Sequence, residues 1–448
     1  MAELAQFVAA TAERFGIPGV AVGVWTGAEE AYACHGVTSV ENPLPIDPDT
    51  LFVIGSVTKS MTATMLMRLV SEGRVELDAP VRRYVPELVL ADERTAAEVT
   101  VRHLLNHTSG LGWNVIADVG DGDDALARFV AAMAGLEQVA PLGARASYSQ
   151  AGYNLIGRVI EKVGGQTYEQ AVSSQVLDPA GLTNSFYLAG EVMTRRFTVG
   201  HNLGDDGPKV ARPWKHTRGN NPGGGLASSI TDQVRWARFQ LGDGAGVLPS
   251  AALRSMREPT VKLRSSKLGD AIGLCWFLRD VDGVRTVGHG GSANGQFAEF
   301  LMVPERNFAV VAMANAGPDG IPFNQAILRW ALENYLGIVD RDPEPVPYDD
   351  ARAREVVGTY DIDAMTLTVA TTGSQLVLEC RIKPEIRAAS AVALPADHAP
   401  FDLGFLPGEA DEYILTSGAF EGQRGYFTRD NAGVVVGVDL AGRMFTRV

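Results

Sequence analysis

Leu51-Phe52-Val53-Ile54-Gly55-Ser56-Val57-Thr58-Lys59-Ser60 runs directly into an apolar stretch from Met61 to Val70. The first four residues read as a strand and the stretch after Ser60 as a buried helix. Ser56 and Lys59 then fall at i and i+3 on the first helical turn, sharing one face. A helix N-terminus adds free N–H groups and a positive dipole end beside the hydroxyl. A serine is a weak nucleophile until a base takes its proton, and a lysine becomes that base when burial and positive surroundings lower its pKa. The stretch points to acyl transfer through a serine ester. The competing structural reading is a capping serine beside a solvated lysine. Against it, this is the only Ser-x-x-Lys in the chain, and further elements follow in order.

Serine acyl transfer also needs a proton donor to the leaving group and an oxyanion hole. Tyr148-Ser149-Gln150 comes next, ahead of Ala151-Gly152-Tyr153-Asn154-Leu155. His289-Gly290-Gly291-Ser292 stands at a strand end, where small residues let a substrate backbone approach. His107 reads as a buried, loop-fixing histidine and Tyr153 as core. His35, His103, His201, His216 and His398 show no metal-ligand spacing. No metal and no cofactor are expected.

With 448 residues the chain has room for two or three domains. Its 46% hydrophobic and 21% charged residues are ordinary for a globular protein, and the net charge of −14 is spread along the sequence. No basic cluster or aromatic–basic stripe suggests a nucleic-acid surface. Cys34, Cys275 and Cys380 lie far apart in apolar contexts and read as reduced core residues. The first residues, Met1-Ala2-Glu3-Leu4-Ala5-Gln6, have neither a basic n-region nor a long apolar h-region. No run of 18 uncharged apolar residues suggests a membrane span. The expectation is a cytoplasmic protein with no membrane partner.

Along the chain, residues 2–15 read as an amphipathic helix and Gly19 to Gly36 as a hairpin around Gly27-Ala28-Glu29-Glu30. Helices are expected at 56–73, 99–105, about 124–134, 153–163, 231–241 (capped by Thr231) and 322–336. Residues 200–225 form a polar, glycine-rich irregular stretch of the kind that carries function. Strands at 286–289, 297–303 and 308–315 complete an antiparallel sheet covered by helices, an α+β fold over residues 1–340. Arg341-Asp342-Pro343-Glu344-Pro345-Val346-Pro347 opens a stiff linker, 341–352. From 353 to 448 short β-prone segments recur at 367–369, 375–379, 412–416, 425–428 and 434–438. They suggest a small antiparallel barrel or sandwich that packs on or shapes the site.

The three motifs, with His107-Thr108-Ser109-Gly110 and Gly223-Gly224-Gly225-Leu226-Ala227-Ser228-Ser229, make residues 5–340 resemble the serine β-lactamase and penicillin-binding-protein superfamily, on its class C and esterase side. The resemblance implies that Ser56 is the nucleophile, Lys59 its activator and Tyr148 the proton shuttle, as a phenolate or through Lys59. His289 would orient Tyr148 or a substrate carboxylate, with Gly290 and Gly291 beside it, and the oxyanion hole would be the N–H groups of Ser56 and Ser292. Two departures stand out. Gln150 replaces the family's Asn, which lengthens its reach toward a substrate carbonyl, and His289-Gly290-Gly291 replaces Lys-Thr-Gly, so efficient β-lactamase activity is not expected.

With its C-terminal β domain, the chain is most similar to standalone penicillin-binding-protein-type thioesterases of nonribosomal peptide pathways, which carry a lipocalin-like domain. The resemblance implies a peptidyl substrate, delivered on a carrier-protein thioester, taken onto Ser56 and closed into a macrolactam by its own N-terminus. The alternatives are a hydrolytic esterase or D-amino-acid-specific peptidase, and a non-catalytic receptor for D-configured peptides or β-lactams.

Overall fold

Phe308 to Ala314 is buried throughout, and its side chains alternate between two cores. Ala309, Val311 and Met313 face one core, while Phe308, Val310, Ala312 and Ala314 face the other. Successive strand residues point to opposite faces, so a strand without polar alternation marks a sheet covered on both sides. That strand is near the middle of an eight-stranded sheet. In chain order its members are β1 (Gly19–Trp25), β2 (Glu30–Gly36), β3 (Val261–Lys262), β4 (Ala271–Ile272), β5 (Phe277–Val281), β6 (Val284–Ala293), β7 (Gln296–Val303) and β8 (Phe308–Ala314). The spatial order is β2-β1-β8-β7-β6-β5-β4-β3, antiparallel at each pairing. The computed structural model describes residues 2–115, 118–204, 206–215, 217–389, 397, 399–408 and 410–448. His216 and His398 lie outside these residues.

One face of the sheet is covered by α1 (Ala2–Arg14), through Leu4, Val8 and Ala12, and by the helix Gly320–Leu336. The opposite face carries the helical layer: α2 (Thr58–Ser71), α3 (Gln150–Gly164) and α4 (Ile230–Leu241). Boundaries differ from the sequence reading where a cap was misplaced. Ser229, not Thr231, caps α4, accepting the Asp232 N–H at 3.2 Å. Ser149 caps α3, accepting the Gly152 N–H at 3.1 Å, so Gln150 belongs to the helix rather than to the loop before it. Residues 200–225 are not wholly irregular. They hold short strands at His201–Asn202 and Lys209–Val210 and a helical turn at Asn221–Gly224.

Beyond Gly337 the chain is stapled before it reaches the second core. Arg279 pairs with Asp340 and Arg329 with Asp342. A helix begins at Asp350, inside the stretch read as linker, with Asp349 as its cap. The remainder closes as an up-and-down barrel of eight antiparallel strands: β9 (Gly358–Asp361), β10 (Met365–Thr372), β11 (Gln375–Ile382), β12 (Phe401–Phe405), β13 (Glu412–Leu415), β14 (Arg424–Arg429), β15 (Val435–Leu440) and β16 (Arg443–Arg447). Tyr360 opposite Arg447 closes the ring. Tyr360, Leu367, Leu378, Phe401, Tyr413 and Phe427 are among the residues filling its interior. Of the two forms expected from the sequence, the barrel is the one adopted. Among the described residues no helix is long and apolar enough to cross a membrane.

Candidate active site

Ser56 sits in a single 3-10 turn, Gly55–Val57, that leads into α2. The turn is pressed against the end of β6. Gly55 has φ +52°, and a Cβ there would lie 2.4 Å from the Ser292 nitrogen. A Cβ on Gly291 would lie 1.9 Å from the Ile54 carbonyl. Two missing side chains thus let two backbones touch, and the amides of Ser56 and Ser292 stand on the facing stretches. Gly291 thereby admits the nucleophile turn. Gly290 faces Glu299, whose carboxylate would lie 2.8 Å from a Cβ there. Ser292 is exposed.

Lys59 is fully buried. Its Nζ lies 3.1 Å from Ser56 Oγ and donates to Gln150 Oε1 at 2.5 Å and to the Gly223 carbonyl at 2.6 Å. The rings of Tyr148 and Tyr153 stand 5.0 and 5.4 Å from it. Burial above all, then the Arg443 charge, pushes Lys59 well below an ordinary lysine pKa, with Cys275 pulling the other way. Carbonyl oxygens only accept, so they take two N–H bonds. The third position of a neutral amine, its lone pair, then faces the serine hydroxyl. This is the geometry of a general base.

Tyr148 approaches from the loop before α3. Its N–H donates to the Gly442 carbonyl at 2.9 Å, and its ring lies 4.4 Å from the His107 ring and 5.3 Å from the Arg443 guanidinium. Burial raises the phenol pKa, with Ser56 and Arg443 acting against the rise. The hydroxyl is buried with no hydrogen bond of good geometry. The neutral phenol is the form this environment favours, which sets it up as a proton donor. His107 does fix the loop: at φ 59° it accepts the Ser149 N–H on Nδ1 at 3.1 Å.

Gln150 and His289 complete the surroundings of Lys59 and Tyr148. Gln150 gives its oxygen to Lys59, and its nitrogen donates one N–H to Asn220 at 2.8 Å, which leaves one amide N–H for a substrate carbonyl. The extra methylene lets it bridge Lys59 and Asn220. His289 is 3% exposed, donates from Nδ1 to its neighbour's carbonyl at 2.6 Å, and packs 5.1 Å from the Phe277 ring. Burial first, then Lys59, pushes its pKa down to about 3. A neutral ring cannot attract a substrate carboxylate by charge, whereas the other expected role, orienting Tyr148, is compatible with its place 6.1 Å away between ring centres.

Other residues were not read from the sequence. Asn154 accepts the Gly223 N–H at 3.1 Å and donates to Asn220 at 3.1 Å, holding the turn whose carbonyl grips Lys59. Lys215 braces the same turn from behind, donating to Asn221 and the Gly225 carbonyl, each at 2.9 Å. Asn154 adjoins the tyrosine motif, and Asn220 lies in the polar stretch already suspected of function. Arg443 and Gly442 come from the β15–β16 turn of the barrel, and no local signal marks them.

The chain is similar to several known proteins. A family model described as Beta-lactamase matches residues 4–332. Penicillin-binding protein 4 of Amycolatopsis lactamdurans is 33% identical over 360 residues, covering 77% of this chain and 93% of that protein. The crystal structure of SurE with D-Leu is 25% identical with a TM-score of 0.75, covering 100% of this chain and 99% of that one. D-amino acid amidase from Ochrobactrum anthropi SV3, complexed with D-phenylalanine, is 26% identical with a TM-score of 0.61, covering 70% of this chain and 91% of that one.

Proposed function

Because the chain belongs to the beta-lactamase family of serine acyl-enzyme proteins, we propose that it moves the peptidyl group of a thioester onto Ser56, expelling the thiol, and releases it by intramolecular amine attack, as a macrolactam. Lys59 takes the Ser56 proton as Oγ attacks the thioester carbonyl. The backbone amides of Ser56 and Ser292 receive the oxyanion. Tyr148 protonates the departing thiolate, and Lys59 returns its proton through the same path. The peptide's N-terminal amine then attacks the ester, its proton passes by Tyr148 and Lys59 to Ser56, and the lactam leaves.

The observation that carries this reading is the barrel turn lodged against Tyr148. A wall made by a second domain restricts the site on the side of the proton donor, where a folded peptide amine must compete with water. A D-configured acyl end is supported by two relatives, SurE with D-Leu and the amidase with D-phenylalanine. The amidase also favours the second reading, hydrolysis of D-amino-acid esters or amides with water as acceptor. The delivering carrier protein is part of the proposal. The test is product analysis by mass spectrometry with peptidyl thioester mimics ending in D or L residues. Cyclic product as the main species from a D-ended peptide supports the cyclase; linear acid from every peptide supports the hydrolase.

A further inference from the structure

The seam between the two domains holds a cavity of about 220 Å³. At about 30 Å³ per liquid water it has room for roughly seven waters, the scale of one side chain. The catalytic domain lines it with Arg145, Lys262 and Arg264, and the barrel with Tyr426, Asp439 and Gly442. It backs directly on Tyr148: Gly442 is the residue whose carbonyl holds the Tyr148 N–H, and Arg145 lies three residues before Tyr148.

The wall has an unused donor. Nη1 of Arg145 is buried with no partner. Its Nη2 lies 3.5 Å from the Val139 carbonyl, and the guanidinium also acts on the Tyr426 phenol and on the Asp439 carboxyl. Buried donors are normally satisfied, so a free guanidinium N–H at the cavity marks a place for a ligand that brings an acceptor. Arg264 is already engaged, stacked 4.6 Å over the Tyr426 ring and 3.8 Å from Glu412. Asp439 is the acid among the lining residues, and burial pushes its pKa up to about 7. It therefore opposes an anion weakly near neutral pH, and in its neutral form it donates. A free guanidinium end beside a phenol matches the geometry of a carboxylate.

From this cavity we infer a substrate subsite for an acidic side chain of the peptidyl group, a step that rests on the peptidyl-substrate reading above. The test is calorimetric binding to full-length Ser56→Ala protein, which cannot turn over. The probes are N-acetylated tripeptide amides carrying Glu at each position in turn, in D and L forms, against matched Gln peptides. The expected result is one Glu peptide binding about tenfold more tightly than its Gln control, the scale of one charge-assisted bond. Adding Arg145→Met removes the advantage and leaves the Gln peptide unchanged, and Arg145→Lys restores part of it. Equal affinities for Glu and Gln throughout, no binding by any peptide, or an advantage that survives Arg145→Met would overturn the subsite. Failure to cyclise a thioester while the Glu advantage persists would count against the cyclase reading alone.

Discussion

The Gln150 and Gly223 oxygens take two N–H bonds from Lys59, which leaves the face toward Ser56 for the lone pair of an uncharged amine. Unfolded, this lysine keeps its proton to about pH 10.4. Folded, it gives it up well below that value, chiefly because it is buried. Between those two pKa values the unfolded state binds more protons, so this group makes stability rise with pH there, and it works against folding at lower pH. Lys59→Met should therefore leave the melting temperature at or above that of the wild type while acylation falls at least about 10²-fold. A thermal melt beside a burst assay with an activated ester checks both. The same burst, followed against pH, should fall as pH drops through the folded pKa of Lys59, on a limb far below the ordinary lysine range. Ser56 and Lys59 were legible because their chemistry is local, one helical turn. The neutrality of His289 was not, since it comes first from burial and then from Lys59, which lies 230 residues away in sequence.

At the scale of elements, the site depends on the Gly55–Val57 turn touching β6 and on the Asn221–Gly224 turn touching α3. Gly55→Ala would force a Cβ into the Ser292 backbone at a positive φ, so acylation should fall by at least about 10²-fold, the scale of an oxyanion donor. A folded, fully active Gly55→Ala protein by circular dichroism and burst assay would refute that packing. Gln150→Asn is too short to span Lys59 and Asn220. It should lower kcat by about tenfold or more with little change in KM, since the bridge orients the base rather than the substrate. Steady-state kinetics separate the two. The long helices and five of the eight sheet strands were read because amphipathic periods and turn residues are local, whereas β3, β4 and β5 were not. Of the barrel strands β9, β12 and β16 were missed; in the last two, Asp402 and Gly404, and Arg443 and Arg447, look like turn or surface residues until the barrel closes around Phe401, Leu403 and Phe445.

Across the whole molecule, the sequence signals a separate β module, but not that its β15–β16 turn reaches Tyr148. No period or motif encodes a contact between residues 148 and 442; only the folded chain brings them together. That contact gives the barrel a part in partitioning. Arg443→Ala, which opens the wall without removing the barrel, should leave acylation by a small activated ester within about tenfold of wild type. It should lower the ratio of macrolactam to linear acid by about tenfold, as water at roughly 55 M gains on the amine. Mass spectrometry of both products reads that ratio.

The most direct measurement is intact-mass analysis of the wild-type protein mixed with two peptidyl thioester mimics, identical except that one has a free N-terminus and the other is N-acetylated. The expected result is an acyl adduct mapped to Ser56 in both cases. It decays quickly to cyclic peptide when the amine is free, and persists when the amine is capped. Equal decay of the two adducts to linear acid, or an adduct on any residue other than Ser56, would contradict a serine acyl-enzyme resolved by the peptide's own amine.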